Sequence, residues 1–348
     1  MNLKRYWPLA LLIALLLFQP VRSQTASRTL DIYFIDVEGG AATLIVTPAG
    51  ESLLIDSGFP GDRDAGRIAQ VALGVAGLKQ IDHYLTTHWH RDHVGGSGRL
   101  AQLIPIRNFY DHGLPQTIPS DVQPELIEAY KQTTQGKSVT LKAGDLIKLR
   151  SPKYAPPLQV RVMAASGTVL GEKSNLPQVR PCGADFEAKP EDKTDNVNSV
   201  GTLLTFGRFK FFDGGDLTWN IENRLACPRN VVGVVDVYQV DHHGLDISNN
   251  PALMRALNPR VALINDGPRK GGEAGNYARL KSLKEIEGIY QLHRNVRTAD
   301  KDNAPSGFIA NDEEACQGNF IKLSVEPGGK SYVVSIPAKQ IKLSYRTR

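Results

Sequence analysis

The sequence predicts an α/β fold built from two similar halves, each contributing a β-sheet. Three observations predict it. Strand-like apolar runs alternate with helix-like runs along most of the chain. A strand pair, Thr43-Leu44-Ile45, a turn, then Ile55-Asp56-Ser57-Gly58, is echoed about 160 residues later by Thr202-Leu203-Leu204, Gly207-Arg208 and Phe212-Asp213-Gly214-Gly215. Finally, 348 residues with 41% hydrophobic content suffice for a sizeable core.

Residues 1–23 have the layout of a secretory signal peptide: Lys4-Arg5, an apolar run from Pro8 to Phe18, then Val21-Arg22-Ser23 at the cleavage point. That run is shorter than the roughly 20 residues a bilayer requires. The expectation is a secreted or periplasmic protein with no membrane anchor after cleavage.

The main domain is expected over residues 28–300. Thr29 to Asp36, Ala42 to Thr47 and Ser52 to Asp56 read as strands, the last two separated by the turn Pro48-Ala49-Gly50-Glu51. Arg67 to Val75 reads as a helix, Ile81 to Thr86 as a strand, Ser97 to Leu103 as a helix and Ile106 to Tyr110 as a strand. Asp121 to Lys131 is expected to be helical with Ser120 as its N-cap. Val139 to Leu141 and Leu146 to Leu149 suggest a hairpin around Ala143-Gly144-Asp145. Residues 166–197, polar and weakly periodic, read as a long surface loop. After the second strand pair come a strand from Val234 to Val240, a helix from Pro251 to Leu257, a strand from Val261 to Ile264 and a helix around Ala278 to Glu287. Residues 301–348 form a β-hairpin extension on the same domain, Phe320 to Val325 and Ser331 to Ile336 flanking Glu326-Pro327-Gly328-Gly329.

The net charge is +5, and loss of Lys4, Arg5 and Arg22 with the leader leaves 5 − 3 = +2. Without a basic stripe, a near-neutral chain does not favour nucleic acid as partner; Arg269-Lys270 and the tail from Lys339 to Arg348 read as solvated surface. Of the three cysteines, Cys182, Cys227 and Cys316, two can bridge in an oxidising compartment, and the sequence does not choose the pair. None stands at metal-binding spacing with another, so all three read as structural.

Three of the eight histidines fall within six residues, His88-Trp89-His90-Arg91-Asp92-His93. In an extended segment His88 and His90 point the same way, so two imidazoles can grip one ion. Asp92 and His93 follow the apolar stretch Ile81 to Leu85, and Gly95-Gly96 allow a sharp bend that turns this pair toward a second ion. Imidazole with carboxylate suits zinc, and also iron or manganese. The expected cofactor is therefore two divalent ions, zinc first, with manganese or iron as alternatives. His242 and His243, at the end of an apolar strand, are the natural distal partners. Asp216, in Gly214-Gly215-Asp216-Leu217, is the candidate bridging carboxylate, with Asp213 as competitor. Asp56 reads as a residue that accepts a hydrogen bond from a ligand imidazole or a local amide.

These segments resemble the metallo-β-lactamase-fold hydrolases, most closely the branch that includes the extracytoplasmic domain of bacterial competence DNA-uptake proteins. The likeness rests on Phe34 to Ala41 with Leu53 to Gly58, Thr87 to Gly96, Asn198-Ser199 ahead of Phe211 to Leu217, and Val237 to Gly244. It implies a four-layer αββα sandwich with the metals at one edge between the sheets. It further implies that His88 and His90 bind one ion and Asp92 and His93 the other, with Asp216 bridging and His243 preferred over His242 to complete the second site. Many members supply a further mid-chain histidine to the first metal. Here only His112 lies between His93 and His242, earlier than that ligand usually comes.

The chemistry that follows is hydrolysis by a water whose pKa two ions lower, attacking an electrophilic carbonyl or phosphorus. Asp92 and Asp216 would orient the nucleophile, and His242 or His112 would protonate the leaving group. The fold serves β-lactam, lactone, thioester and phosphodiester substrates alike, and the resemblance favours a phosphodiester or another ester, small or oligomeric. Asn198, Ser199 and the loop Gly267 to Gly272 are further candidates for substrate contact. The rival class is a non-catalytic, metal-containing binding protein of the export compartment.

Overall fold

The computed structural model describes residues 28–151, 155–172, 182, 187 and 189–348, so the signal-peptide reading of residues 1–23 lies outside the described residues. The first half supplies β1 (Leu30–Phe34), β2 (Thr43–Val46), β3 (Ser52–Ile55), β4 (Ile81–Leu85), β5 (Ile106–Asp111) and β6 (Val139–Thr140), with helices α1 (Asp62–Ala69), α2 (Ser97–Leu103) and α3 (Pro124–Thr134). The second half supplies β7 (Leu146–Ile147), β8 (Leu158–Ala165), β9 (Thr168–Val169), β10 (Gly201–Phe206), β11 (Phe209–Asp213), β12 (Val237–Gln239), β13 (Val261–Ile264), β14 (Gly288–His293) and β15 (Ile309–Asn311). Its helices are α4 (Trp219–Ala226), α5 (Pro251–Leu257) and α6 (Ala274–Lys281). The chain closes with β16 (Ile321–Val325), β17 (Ser331–Ile336) and β18 (Ile341–Arg346).

Two sheets result. One runs β18-β17-β16-β1-β2-β3-β4-β5-β6, the other β15-β14-β13-β12-β11-β10-β8-β7 with β9 on β8. The halves echo each other: β2 and β3 pair antiparallel before β3 to β6 run parallel, and β10 and β11 pair antiparallel before β11 to β15 run parallel.

Strand alternation sorts the side chains into three apolar layers. Leu30, Ile32 and Phe34 of β1 meet Phe211, Val237, Val261 and Leu263 between the sheets. Tyr33 and Ile35 face the other way, toward Ala65 and Ile68 of α1, Leu100 of α2 and Ile127 of α3. On the far side, Tyr238, Ala262 and Ile264 pack with Leu225 of α4, Leu253 of α5 and Leu280 of α6. The layers are therefore helix, sheet, sheet, helix, as the αββα expectation requires.

Several local expectations are corrected. The 139–149 hairpin does not form: β6 pairs parallel with β5 in the first sheet and β7 antiparallel with β8 in the second, so the Ala143-Gly144-Asp145 turn is the crossover between sheets. The helix expected from Arg67 to Val75 starts at Asp62, where Asp62 and Asp64 suit the helix N-terminus, and loosens into a π-helical stretch over Gln70–Val75. The helix expected from Asp121 with Ser120 as N-cap starts at Pro124 instead, a residue suited to a first turn, with Gln123 in extended conformation as its N-cap; the Asp121 carboxylate is held by His90 and the Asp195 backbone. The last helix ends at Lys281 rather than near Glu287, since Glu287 and Gly288 already donate to Arg260 O on the way into β14. The 166–197 segment is not wholly surface: Asp195 is buried. The C-terminal hairpin gains a third strand and is stitched to β1 through β16. Cys182 bridges Cys227, leaving Cys316 free. Among the described residues, no helix is long and apolar enough to cross a membrane.

Candidate metal centre

The ligand-bearing residues stand where the parallel strands end, the general location of ligand sites in α/β sheets. Asp56 follows β3, the histidine cluster follows β4, Asp216 follows β11, and Asp241 to His243 follow β12. Three of these residues hold left-handed backbone that side chains other than glycine seldom adopt: Asp56 (φ 61°), His242 (φ 53°) and His243 (φ 55°). The consecutive pair turns the chain sharply after β12, and His242 N donates to Gly215 O, locking this turn to the Asp216 loop. Gly95 and Gly96 lie in the turn that leads into α2, with neither φ positive. A Cβ at Gly95 would come 2.1 Å from Arg91 O, and one at Gly96 2.1 Å from Ser57 O, so glycine is required there for close packing.

The ligand-type atoms of Asp92, His93, Asp216 and His243, all buried, lie within 4.8 Å of one another. Asp216 Oδ2 is the hub: His93 Nε2 is 3.2 Å away, His243 Nε2 3.3 Å, His242 Nε2 3.5 Å and His88 Nε2 3.9 Å. One carboxylate oxygen facing four imidazoles is the arrangement a bridging carboxylate needs. Asp213, the competitor, is engaged elsewhere, accepting from Gly215 N and Gln239 Nε2. Burial, with Asp56 and Asp216 nearby, pushes its carboxyl up to about 7.

The outer nitrogens determine which ring atom is free for a ligand bond. Asp56 accepts from Thr87 N, from the Thr87 hydroxyl and from His93 Nδ1, each at 2.7 Å. Because the Thr87 hydroxyl proton is directed at Asp56, its oxygen accepts from His88 Nδ1 at 3.0 Å. His243 Nδ1 donates to Asn265 O at 3.2 Å, and His242 Nδ1 pairs with Ser248 Oγ at 3.0 Å. His88, His93 and His243 therefore direct Nε2 inward. Two of these, on His93 and His243, face each other at 3.2 Å, and His88 Nε2 is buried with no partner among the described residues. Converging ring nitrogens, one of them an orphaned buried nitrogen, beside two carboxylates are what a cation would satisfy, so the residues present fit the divalent ions expected.

Electrostatics agree. Burial alone would lower the His93 imidazole, yet Asp216, Asp56 and Asp92 raise it well above its usual range. Burial works against ionised Asp92 and Asp216, but the first is held well below the usual carboxylate range by His93 and Lys270, the second by His243 and His93. The Lys270 ammonium, read from sequence as part of a solvated turn, in fact contacts Asp92 Oδ2 and supplies positive charge to the centre.

Two expected ligands are differently placed. His90 Nε2 pairs with Asp121 at 2.7 Å, leaving only Nδ1 for an ion. His112 is not brought to the cluster: its Nε2 lies 3.2 Å from Asp195 and its ring packs on Trp89. Asp195 also accepts from Trp89 N at 2.7 Å, so a carboxylate 106 residues away clamps the middle of the histidine motif. Burial, reinforced by His243 and Lys270 against the opposing pull of Asp216, lowers the His242 imidazole to about 4, and its Nε2 stands 3.5 Å from Asp216 Oδ2. Ser199 Oγ accepts from Asp216 N and Asn198 donates to Asp195, so both position the site's framework. Thr87, Asp121 and Asp195 carried no sequence signal beyond being polar. Asp56 carried one, its place at a strand end.

Residues 35–148 match the family model described as the metallo-beta-lactamase superfamily. Over 102 residues the chain is 33% identical to atrochrysone carboxyl ACP thioesterase dmxR1 of Cryptosporiopsis sp. (strain 8999), a match covering 29% of this chain and 30% of that protein. Similar solved structures include CmlA, a diiron beta-hydroxylase from Streptomyces venezuelae, at 17% identity over 68% of this chain and 44% of that one, with a TM-score of 0.39. Another is Igni18, a metallo hydrolase from Ignicoccus hospitalis, at 13% identity over 74% of this chain and 94% of that one, with a TM-score of 0.42. The chain thus spans less than half the length of the thioesterase and of the hydroxylase it matches. Residues 35–148 are thus similar to the metallo-beta-lactamase superfamily, and they contain the His88 to His93 cluster.

Proposed function

We propose that the protein is a metal-dependent hydrolase of an anionic ester, with a phosphodiester as the first substrate class and zinc as the metal. The observation that carries this reading is Asp216 Oδ2 set among four inward-facing imidazoles, three of them with the outer nitrogen occupied by a partner that leaves Nε2 free. Bound ions would supply Lewis acidity and a water of lowered pKa. Asp92 and Asp216, both kept ionised, accept hydrogen bonds and so orient the attacking water. His242, neutral, offers Nε2 as an acceptor or ligand beside Asp216.

The cations at the mouth support a negatively charged substrate. Lys270, Arg91 and Arg63 surround the Phe59 ring at 5.8, 5.5 and 5.9 Å, beside an open cavity of about 430 Å³ that Glu38 and Asp62 also line; Arg63 is ion-paired with Glu38 and Asp64, so the charge offered to a substrate is that of Lys270 and Arg91. Asp92 would be among the residues holding an ion, and the Lys270 ammonium beside it would then be placed to hold a substrate oxygen. The Cys182–Cys227 bridge supports an exported, oxidising setting. The local likeness to a carboxyl ACP thioesterase makes a thioester the second reading.

The test is turnover by zinc-loaded protein of bis(p-nitrophenyl) phosphate, an acyl thioester, a lactone and nitrocefin. The expected result is phosphodiester cleavage that chelation and Asp216→Asn both abolish. Failure to turn over any of the four at full metal occupancy would overturn the enzymatic reading in favour of a binding protein.

A further inference from the structure

We propose that Asp36, His293 and Cys316 form a separate site for a divalent ion of the zinc class, sharing no ligand with the centre at Asp216. Asp36 lies just past β1, His293 ends β14, and Cys316 sits in the segment between β15 and β16. Asp36 Oδ1 is 3.0 Å from His293 Nε2, Cys316 Sγ is 3.3 Å from Asp36 Oδ2, and Sγ is 3.5 Å from His293 Nε2. Zinc bonds of about 2.0 to 2.3 Å at tetrahedral angles put neighbouring N, O and S ligand atoms about 3.3 to 3.6 Å apart. The three donors already stand close to that triangle, and water would take the fourth position.

A salt bridge alone would need Asp36 and His293 but no sulfur within reach of both. The surrounding charge also suits an ion. Arg67 donates to Asp36 Oδ2 at 3.0 Å and to Cys316 Sγ at 3.6 Å, and its other partner is Glu38 at 3.0 Å. With Cys316 as thiolate, the anions Asp36, Cys316 and Glu38 balance Arg67 and one divalent ion. Guanidinium donors to a ligating carboxylate and thiolate are the outer contacts that orient metal ligands. The loop is shaped for this approach: Gly318, at φ +73°, lies so near Arg67 that a Cβ there would come 2.5 Å from Arg67 Nε. An ion would thereby tie the segment leading to β16 to both sheets.

Cobalt discriminates this site from the other centre. Cys182 and Cys227 are bridged, so Cys316 is the one available thiol of three cysteines. Full-length protein, stripped with chelator and titrated with Co²⁺, is expected to show a sulfur-to-cobalt charge-transfer band in the near ultraviolet. Cys316→Ser should lose that band and one bound ion per chain. His293→Ala should weaken the same band, whereas His243→Ala should lower metal content elsewhere and leave it intact. Wild-type protein with a titratable free thiol and saturating cobalt but no sulfur band would overturn the proposal, whatever the variants do, as would a band that survives in Cys316→Ser. Neither result depends on any substrate being turned over.

Discussion

Asp56→Asn is the most informative single perturbation of the centre. The carboxylate accepts three hydrogen bonds, two from Thr87 and one from His93 Nδ1, and through Thr87 it also sets the His88 ring. An amide of the same shape retains one acceptor oxygen but presents N–H groups where the second oxygen stood. Facing such a donor, His93 must turn its Nδ1 into an acceptor and move its proton to Nε2, the atom that faces Asp216 and His243. A charged hydrogen bond contributes about 1.5–3 kcal/mol, which corresponds to about 10- to 100-fold in affinity, the range found for partners that orient metal ligands. Competition against a chromophoric chelator measures this directly: zinc should bind the variant 10- to 100-fold more weakly, while far-ultraviolet circular dichroism stays unchanged. Wild-type zinc affinity in Asp56→Asn would show that His93 does not coordinate through Nε2, and the ligand assignment would fall.

Lys270→Met should raise KM for an anionic ester about tenfold, the lower end of a charged hydrogen bond, leave kcat little changed and bind metal at least as tightly, as steady-state kinetics and chelator competition would show. Trp89→Ala removes a fully buried indole packed on His112 and Tyr130 and should cost about 3–5 kcal/mol in urea denaturation, with metal affinity falling as the motif loses its anchor. Burial raises the Asp266 carboxyl to about 7, so its protonated form is favoured by folding: that stability is present below about pH 4 and is lost as pH rises through 7. Linkage makes the loss about 4 kcal/mol, and denaturation midpoints of Asp266→Asn should fall less between pH 4 and 8 than those of wild type. Replacing both Cys182 and Cys227 by Ser opens a loop of 45 residues and should cost about 4 kcal/mol on the chain-entropy model, read as a lower melting temperature.

What could be read from the sequence was local in the chain. Clustered histidines after an apolar strand, a carboxylate in a glycine-flanked turn and a histidine pair at another strand end are each visible within ten residues. The fold supplies their convergence, because all three strand ends lie at one edge of the sandwich. What stayed hidden depends on partners distant in sequence: Asp121 for His90, Asp195 for Trp89 and His112, Lys270 for Asp92, and Asp36 with His293 for Cys316. No spacing rule links residues that meet only after folding. The 139–149 hairpin failed for a different reason. Two-residue strands have no periodicity to read, and a glycine turn looks the same whether it joins neighbours or crosses between sheets.

The pairing of β1 with β16 constrains how the chain reaches its native state. Leu30 and Val325 are register partners roughly 300 residues apart, a closure that costs about 5 kcal/mol of chain entropy before any contact rewards it. Tyr332 and Tyr345 then fill the space between the sheets, packing on Phe209 and bonding to Tyr290. Until the ribosome has released these last strands, β1 has an unpaired edge and the inter-sheet core lies open on that side. Such long-range order makes for slow folding and for a nascent chain prone to edge-to-edge association. The ligands around Asp216, all upstream of residue 244 at the other strand ends, are made long before the sandwich that holds them can close.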